Sequence, residues 1–316
     1  MKRENIAGMS IRGGRRDNFY LCLLEYYQES DRWFLGSLLP VRDEEEGSNE
    51  GDDIIRNWSE KYDLRELVVD IPLSKPACES CAINCPGAKR CPEIAIREVK
   101  RKIDMLLHDD QRLLESAPKQ YERERNDDDL IDYKKDLMSK EAHEHILSRS
   151  FKRRLRKGFL PYWNRPIDFW VWLYYYDVLL KIFNFSYDSF GTTSLMLISR
   201  FNYLRRHFPS ELRLHEGNTY LTLLELFRAK IITRSQLTNL NDLELTAEAK
   251  REMIKSIEKE LKIFIYDHDL EILIQDPRAF DSFLLAITGQ RLRLDKIRQL
   301  PAWALPHETA FVVPLF

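Results

Sequence analysis

Glu66-Leu67-Val68-Val69-Asp70-Ile71-Pro72 reads as a buried strand that closes on a carboxylate and then a proline. A continuous apolar run of this length suits a strand covered on both faces. Burying an unpaired charge is costly, so the single acid at its C-terminal end asks for a partner or a role. Upstream, 5–9, 19–25 and 33–39 are three further short apolar or aromatic strands. Arg12-Gly13-Gly14-Arg15-Arg16 joins the first two, with paired glycines that permit a tight turn, and the three predict an antiparallel meander. An acidic stretch, 43–53, reads as a solvated loop, and Asp52 or Asp53 is expected to cap a helix to about Tyr62 that turns Ile54, Ile55 and Trp58 to one side.

Downstream the pattern becomes helical. Helices are expected over 92–114, 139–157, 166–183 and 189–208, with the charged segment 121–132 as loop. Leu212-Arg213-Leu214-His215-Glu216 is a second strand ending in an acid, and Asn218 caps a helix over 219–228. Thr246 is expected to cap a helix over 247–264. Asp276-Pro277 opens a last helix that runs to Gly289, with Phe280, Phe283, Leu284 and Ile287 on its apolar face and Asp281 beside it. The segment 310–314 is expected as a final strand.

Composition bounds the function. The 316 residues carry 49 Lys+Arg against 51 Asp+Glu, a net charge of -2, which excludes a uniformly basic coat for nucleic acid. With 44% hydrophobic residues the chain can bury a large core. The most apolar long stretch, 169–183, is interrupted by Asp177 and Lys181, and the start MKRENIAGMS lacks an apolar signal core. A cytoplasmic protein with no membrane association is expected.

Three acids stand at telling positions: Asp70 and Glu216 at strand ends, Asp281 on the last helix. Carboxylates gathered from distant segments suit hard Mg or Mn ions, which take oxygen ligands and can clamp a phosphoryl displacement. The plainer reading is that they pair locally with arginines. The order of meander, helix, acid-ended strand, second acid-ended strand and acid-bearing helix resembles the ribonuclease H-like fold shared with Holliday-junction resolvases. Within it the chain resembles an uncharacterised family of predicted nucleases, on Gly8-Met9-Ser10 with Gly13-Gly14, Val68-Val69-Asp70-Ile71-Pro72-Leu73, a Cys-rich insertion, Arg165-Pro166-Ile167-Asp168, His215-Glu216-Gly217 and Phe280-Asp281-Ser282-Phe283. The resemblance implies a metal-dependent nuclease with Asp70, Glu216 and Asp281 as catalytic residues. One position departs from it: the first strand of such enzymes supplies an Asp that bridges both metals, and Ser10 stands there. A neutral hydroxyl is a weak Mg ligand, and Asp17 lies beyond the turn.

Cys78-x2-Cys81-x3-Cys85-x5-Cys91 places four of the five cysteines in one short segment. Reduced thiols so clustered suit one tetrahedral zinc ion or a 4Fe-4S cluster, and the sequence leaves both open. Cys22, alone in a strand, reads as an ordinary buried thiol.

The balanced charge conceals a local block. Arg149, Lys152, Arg153, Arg154, Arg156 and Lys157 occur with no acid from 146 to 167, followed by Trp163 and an aromatic-rich helix. Cations beside aromatic faces are the ingredients of single-strand nucleic-acid binding, against the alternative of a solvated helix face next to a core helix. His143 and His145, two apart, do not share a helix face. The expected architecture is an α/β protein: a ribonuclease H-like mixed sheet (antiparallel three-strand meander plus parallel strands) split over 1–75 and 209–316, with a four-cysteine metal-binding insertion at 76–92 and a helical insertion at 93–208. The rival to a nuclease is a catalytically degenerate nucleic-acid-binding or redox-sensing protein whose four-cysteine centre is the functional element.

Overall fold

The computed structural model describes residues 3–11, 19–41, 50–126, 147–183, 195–305 and 310–316. The glycine turn at 12–16, Asp17, most of the acidic stretch and both His143 and His145 lie outside them. The described residues form an α/β structure with a six-stranded mixed sheet and 11 helices. None of these helices is long and apolar enough to cross a membrane. The chain divides into two compact units: Met1–Leu73, Thr193–Arg298 and Thr309–Phe316 make the first, Ser74–Thr192 and Gln299–Glu308 the second.

The first unit is built on strands β1 (Arg3–Ile11), β2 (Phe19–Tyr27), β3 (Arg32–Pro40), β4 (Glu66–Val69), β5 (Arg213–Glu216) and β6 (Ile263–Phe264), ordered β5-β4-β1-β2-β3-β6. β1, β2 and β3 form the antiparallel meander, while β4 pairs parallel to β1 and β5 parallel to β4. The register sets Met9 opposite Val69 and Val69 opposite Glu216, so three parallel strands end together. Alternation then sorts the side chains. Met9, Leu21, Leu23 and Val69 face one way, into a core with Ile55 from helix α1 (Glu50–Lys61) and Phe201 and Leu204 from α6 (Leu195–Leu204).

Helix α11 (Pro277–Arg293) lies on the opposite face, against β1, β2 and β4. Contact is close enough to dictate glycine. A β-carbon on Gly8 would lie 2.2 Å from the Ala286 amide nitrogen and 2.3 Å from the Ser282 carbonyl oxygen, so helix backbone rests directly on strand backbone. Helix α7 (Thr219–Arg228) joins this layer through a buried 2.8 Å hydrogen bond between the Thr222 and Thr288 hydroxyls.

The second unit is helical in its described part: α2 (Ile94–Ser116), α3 (Pro118–Asn126), α4 (Arg149–Lys157) and α5 (Pro166–Phe183). Asp110 of α2, fully buried, ties three segments together. Its Oδ1 accepts from the Tyr121 hydroxyl at 2.6 Å and the Leu147 amide at 3.1 Å, and its Oδ2 meets the Lys152 ammonium as an ion pair. Arg165 and Asp168 form a second buried pair at 2.9 Å at the start of α5.

Several elements differ from their sequence expectation. Residues 121–126, expected as loop, belong to α3, because Tyr121 is a buried anchor in an otherwise charged run. Neither Asp52 nor Asp53 caps α1, which begins at Glu50. Thr246 is the first residue of α9 (Thr246–Leu261), and the preceding turn is held by Asp242, whose Oδ1 accepts from the Glu244 and Leu245 amides. Helices α8 (Arg234–Asn239) and α10 (Asp267–Gln275) had no expectation, and the helix expected over 247–264 stops at Leu261, where Lys262 turns left-handed and Ile263–Phe264 leave it to pair with β3 as β6. α11 continues past Gly289 to Arg293. Among the described residues the segment 310–314 pairs through single bridges, Phe311 to Glu216 and Pro314 to Ile297, and forms no strand.

Candidate functional site

The end of the sheet where β1, β4 and β5 finish together is where ligands sit in open α/β sheets. Three of the first unit's singled-out residues converge on that end. Ser10 follows Gly8 by two residues and Asp70 follows Val68 by two, so alternation puts both on the α11 face, the face that Gly8 presents to α11. The Ser10 hydroxyl donates to Asp70 Oδ2 at 2.9 Å and the Ile11 amide donates to Oδ1 at 3.0 Å. Ser10 is fully buried. α11 runs antiparallel to β1, with Gly289 over Ile6 and Ser282 over Gly8, which brings its N-terminal turns, and Asp281, toward the Ser10 end.

Glu216 goes elsewhere. It follows Leu214, which packs into the core on the α1 side, and its Oε2 accepts from the amide of Leu73, another residue of that core, at 2.9 Å. Strand-end position is thus shared by Asp70 and Glu216, but the pleat sends them to opposite faces. Among the described residues no three His, Cys, Asp or Glu side chains are gathered so as to hold a metal ion. Asp281 has a neighbour that sequence reading passed over. Lys250 of α9 is buried, donates to the Ile274 carbonyl at 3.1 Å and lies 5.3 Å from the Phe280 ring centre. Burial pulls its pKa down, against the opposing pull of Asp281 and Asp276. The signal was legible: Lys250 occupies the apolar stripe of Met253, Ile254, Ile257 and Leu261 at helical spacing.

In the second unit the four clustered cysteines are free thiols, Cys91 buried, Cys78 half-buried, Cys81 and Cys85 exposed. Their segment has one short helical turn, Ala88–Arg90, which leads into Cys91. Burial pushes the Cys78 thiol above its ordinary value, and charge on Cys91, Cys81 and Cys85 pushes it further, so all four share one electrostatic neighbourhood. They do not form a closed coordination shell. The Cys78 amide donates to the Pro161 carbonyl at 3.3 Å, which seats the segment against the turn that carries Tyr162 and Trp163. Cys22 of β2 is buried in the first unit, where desolvation raises its thiol.

No family model, curated protein or solved structure matches the chain. The geometry therefore carries the functional reading by itself.

Helix α4 divides the basic block in two. Ser148 caps it, accepting from the Phe151 amide at 3.1 Å, and Phe151 and Leu155 face inward. Lys152 goes with them to its ion pair with Asp110, and the Arg154 guanidinium lies 5.6 Å from the Trp172 ring centre. Lys152 is taken up by the fold, a correction to its place among six cations expected to bind nucleic acid, while Arg154 is half-buried beside Trp172. Arg149, Arg153, Arg156 and Lys157 are exposed, with Arg149 3.5 Å from Glu122. The aromatic residues divide likewise. Phe169, Trp170 and Trp172 are buried, whereas Tyr162 and Trp163 remain 63% and 53% exposed.

Proposed function

We propose that this chain is a nuclease-like nucleic-acid-binding protein on a ribonuclease H-like scaffold, in which metal-dependent hydrolysis has given way to binding. The scaffold reading is supported by the order β5-β4-β1-β2-β3, its antiparallel meander, its parallel β1, β4 and β5, and the helix laid across β1. The observation that carries the choice between hydrolysis and binding is the Ser10–Asp70 hydrogen bond of 2.9 Å. Where the resemblance implies a carboxylate that bridges two ions, a neutral hydroxyl points its hydrogen at the neighbouring acid. Such a group supplies no charge to hold divalent cations together, and with Glu216 turned to the other face the acids do not fit a two-metal site.

Binding is assigned to the second unit. The exposed cations Arg149, Arg153, Arg156 and Lys157 offer phosphate contacts, and the exposed rings of Tyr162 and Trp163 offer stacking platforms. The thiols of Cys78, Cys81, Cys85 and Cys91 suit one zinc ion or a 4Fe-4S cluster, since four soft ligands lie within one short segment and charge on the other three pushes the Cys78 thiol up, an effect that a bound cation would offset. A bound centre would hold the loop that abuts Pro161.

One observation keeps a Mg- or Mn-dependent nuclease as the second reading: Asp70 and Asp281 share the α11 side of the sheet end. Fluorescence anisotropy with labelled single-stranded and duplex DNA and RNA, run beside a cleavage assay in Mn, separates the two. Expected is saturable single-strand binding without cleavage. Cleavage by the wild type that disappears in Asp70→Asn would establish the nuclease instead, and absence of any binding at low salt would overturn both.

A further inference from the structure

Within the second unit, the turn that carries Tyr162 and Trp163 is fixed at its feet and open at its crown. Phe159 before it and Asn164 after it are buried, and Arg165 Nη1 donates to Ser74 Oγ at 3.2 Å. The crown closes on itself, with the Trp163 and Asn164 amides both donating to the Leu160 carbonyl at 2.8 Å. Among the described residues, a single hydrogen bond reaches 160–163 from elsewhere in the chain, the 3.3 Å bond from the Cys78 amide to the Pro161 carbonyl. The first of the four clustered cysteines is thus bonded to the crown that presents the exposed rings.

The last of the four is anchored to a different element. Cys91 is buried, and Arg97 of α2 donates to its carbonyl and, at 3.0 Å, to that of Pro92. α2 also holds the basic helix, since its Asp110 is the ion-pair partner of Lys152 in α4. Between the two anchored cysteines, 79–87 is exposed throughout and carries Cys81 and Cys85. Because no three of the four thiols are gathered so as to hold an ion, binding one has to draw the exposed pair in toward Cys78 and Cys91. The exposed excursion then becomes a short link from the crown of the turn to α2. We infer that a metal centre on the four thiols controls single-strand binding by clamping that crown to α2, which sets the stacking rings in fixed relation to the cations of α4. Groups already placed before a ligand arrives cost less to order when it binds, so a brace outside the site raises affinity within it. This inference rests on the nucleic-acid reading and the thiol centre above, and adds the coupling between them. Coupling is reciprocal, so a bound strand tightens the hold on the metal by the same factor.

Fluorescence anisotropy of the full chain with labelled oligo-dT and oligo-U tests it, under reducing, oxygen-free conditions. Three forms are compared: protein as purified, protein stripped with a chelator, and stripped protein reloaded with zinc, or with iron and sulfide where the purified protein is brown. Stripping is expected to weaken binding about tenfold, an ordinary size for a coupling between sites, and reloading to restore it. Cys81→Ser/Cys85→Ser should bind like the stripped protein whatever metal is added. Tyr162→Ala/Trp163→Ala changes only exposed side chains and should bind weakly with or without metal, the tenfold effect gone. Arg153→Ala/Arg156→Ala/Lys157→Ala should bind more weakly overall yet keep that effect. A general loss of folding on stripping would weaken both variants alike, so the difference between them is the mark of the clamp. Equal affinity of loaded and stripped wild type would overturn the inference and leave the nucleic-acid reading standing. A metal effect that persists without the two rings, or a wild type that takes up no metal, would overturn it as well, and no binding by any form would remove the nucleic-acid reading with it.

Discussion

Single side chains in this protein show how position on the pleat outweighs position in the sequence. Asp70 and Glu216 look alike as strand-end acids, yet one accepts from Ser10 and Ile11 and the other from Leu73 on the far face. Alternation from Leu214 was enough to sort Glu216, but only once the face of Leu214 was known, which depends on what packs there. Asp177 of α5 is a different case, an acid held in place by the capping residue of a neighbouring helix. Ser148 donates to it, yet burial is the larger influence and raises its pKa above the ordinary carboxylate value, with Lys181 pulling the other way. A raised folded-state pKa means that the stability tied to the protonated form is fully present below the unfolded value of about 3.9 and is lost as pH rises through the folded value. Asp177→Asn keeps an acceptor for Ser148 and removes the charge. Thermal melts from pH 4 to 8 should show the variant more stable than wild type near pH 7, with the advantage shrinking toward pH 4. An advantage that does not change with pH would mean that charge burial is not its source.

At the scale of elements, helix α4 joins two jobs in nine residues. Lys152 is 13% exposed and faces a fully buried Asp110, so Lys152→Ala strands a charge in the core and is expected to destabilise the protein by about 3–5 kcal/mol, read as a fall in denaturation midpoint. Arg153→Ala, Arg156→Ala and Lys157→Ala together remove only exposed cations. That triple variant should fold normally, bind single strands more weakly and flatten the log–log salt dependence by about two units, at roughly 0.7 per phosphate contact. Equal binding losses in the two variants, after correction for unfolded protein, would deny the division of the helix. The sequence made the block visible but not its division, since Asp110 lies far from it along the chain. Elements with local chemistry were legible: α5 spans Pro166–Phe183 as expected, Asn218 caps α7 by accepting from the Leu221 amide, and Asp276 and Pro277 start α11. Elements whose stability comes from elsewhere were not. α3 carries little apolar signal beyond Tyr121, β6 is a two-residue strand that exists by pairing with β3, and the direct seating of α11 on Gly8 is visible only in three dimensions.

Across the whole molecule, a net charge of -2 conceals an uneven distribution of charge, with the exposed cations of α4 in the second unit and the acids Glu25 and Glu29 of the β2–β3 hairpin in the first. The thiol cluster is confined to the second unit, and so are four of the six tryptophans, Trp163, Trp170, Trp172 and Trp303, against Trp33 and Trp58 in the first. Tryptophan fluorescence therefore reports mainly on the unit in which the proposed metal centre lies. If Cys78, Cys81, Cys85 and Cys91 hold an ion, its binding free energy is folding free energy for the loop around it, because no preformed coordination shell is there without it. Cys81 and Cys85 are exposed, so replacing both with serine removes two ligands without opening a hole in the core. Purified wild type should carry about one zinc per chain, or iron with visible absorbance, and Cys81→Ser/Cys85→Ser should carry far less. The fluorescence-detected melt of that variant should shift down, as should that of wild type treated with a strong chelator, whereas an unmodified melt and a metal-free wild type would leave the four thiols as no more than neighbours. A zinc result would make the centre a structural brace beside Pro161, and an iron result would make it responsive to oxidation. In either case the turn that presents Tyr162 and Trp163 would depend on a metal bound at a loop that the sequence marks by spacing alone.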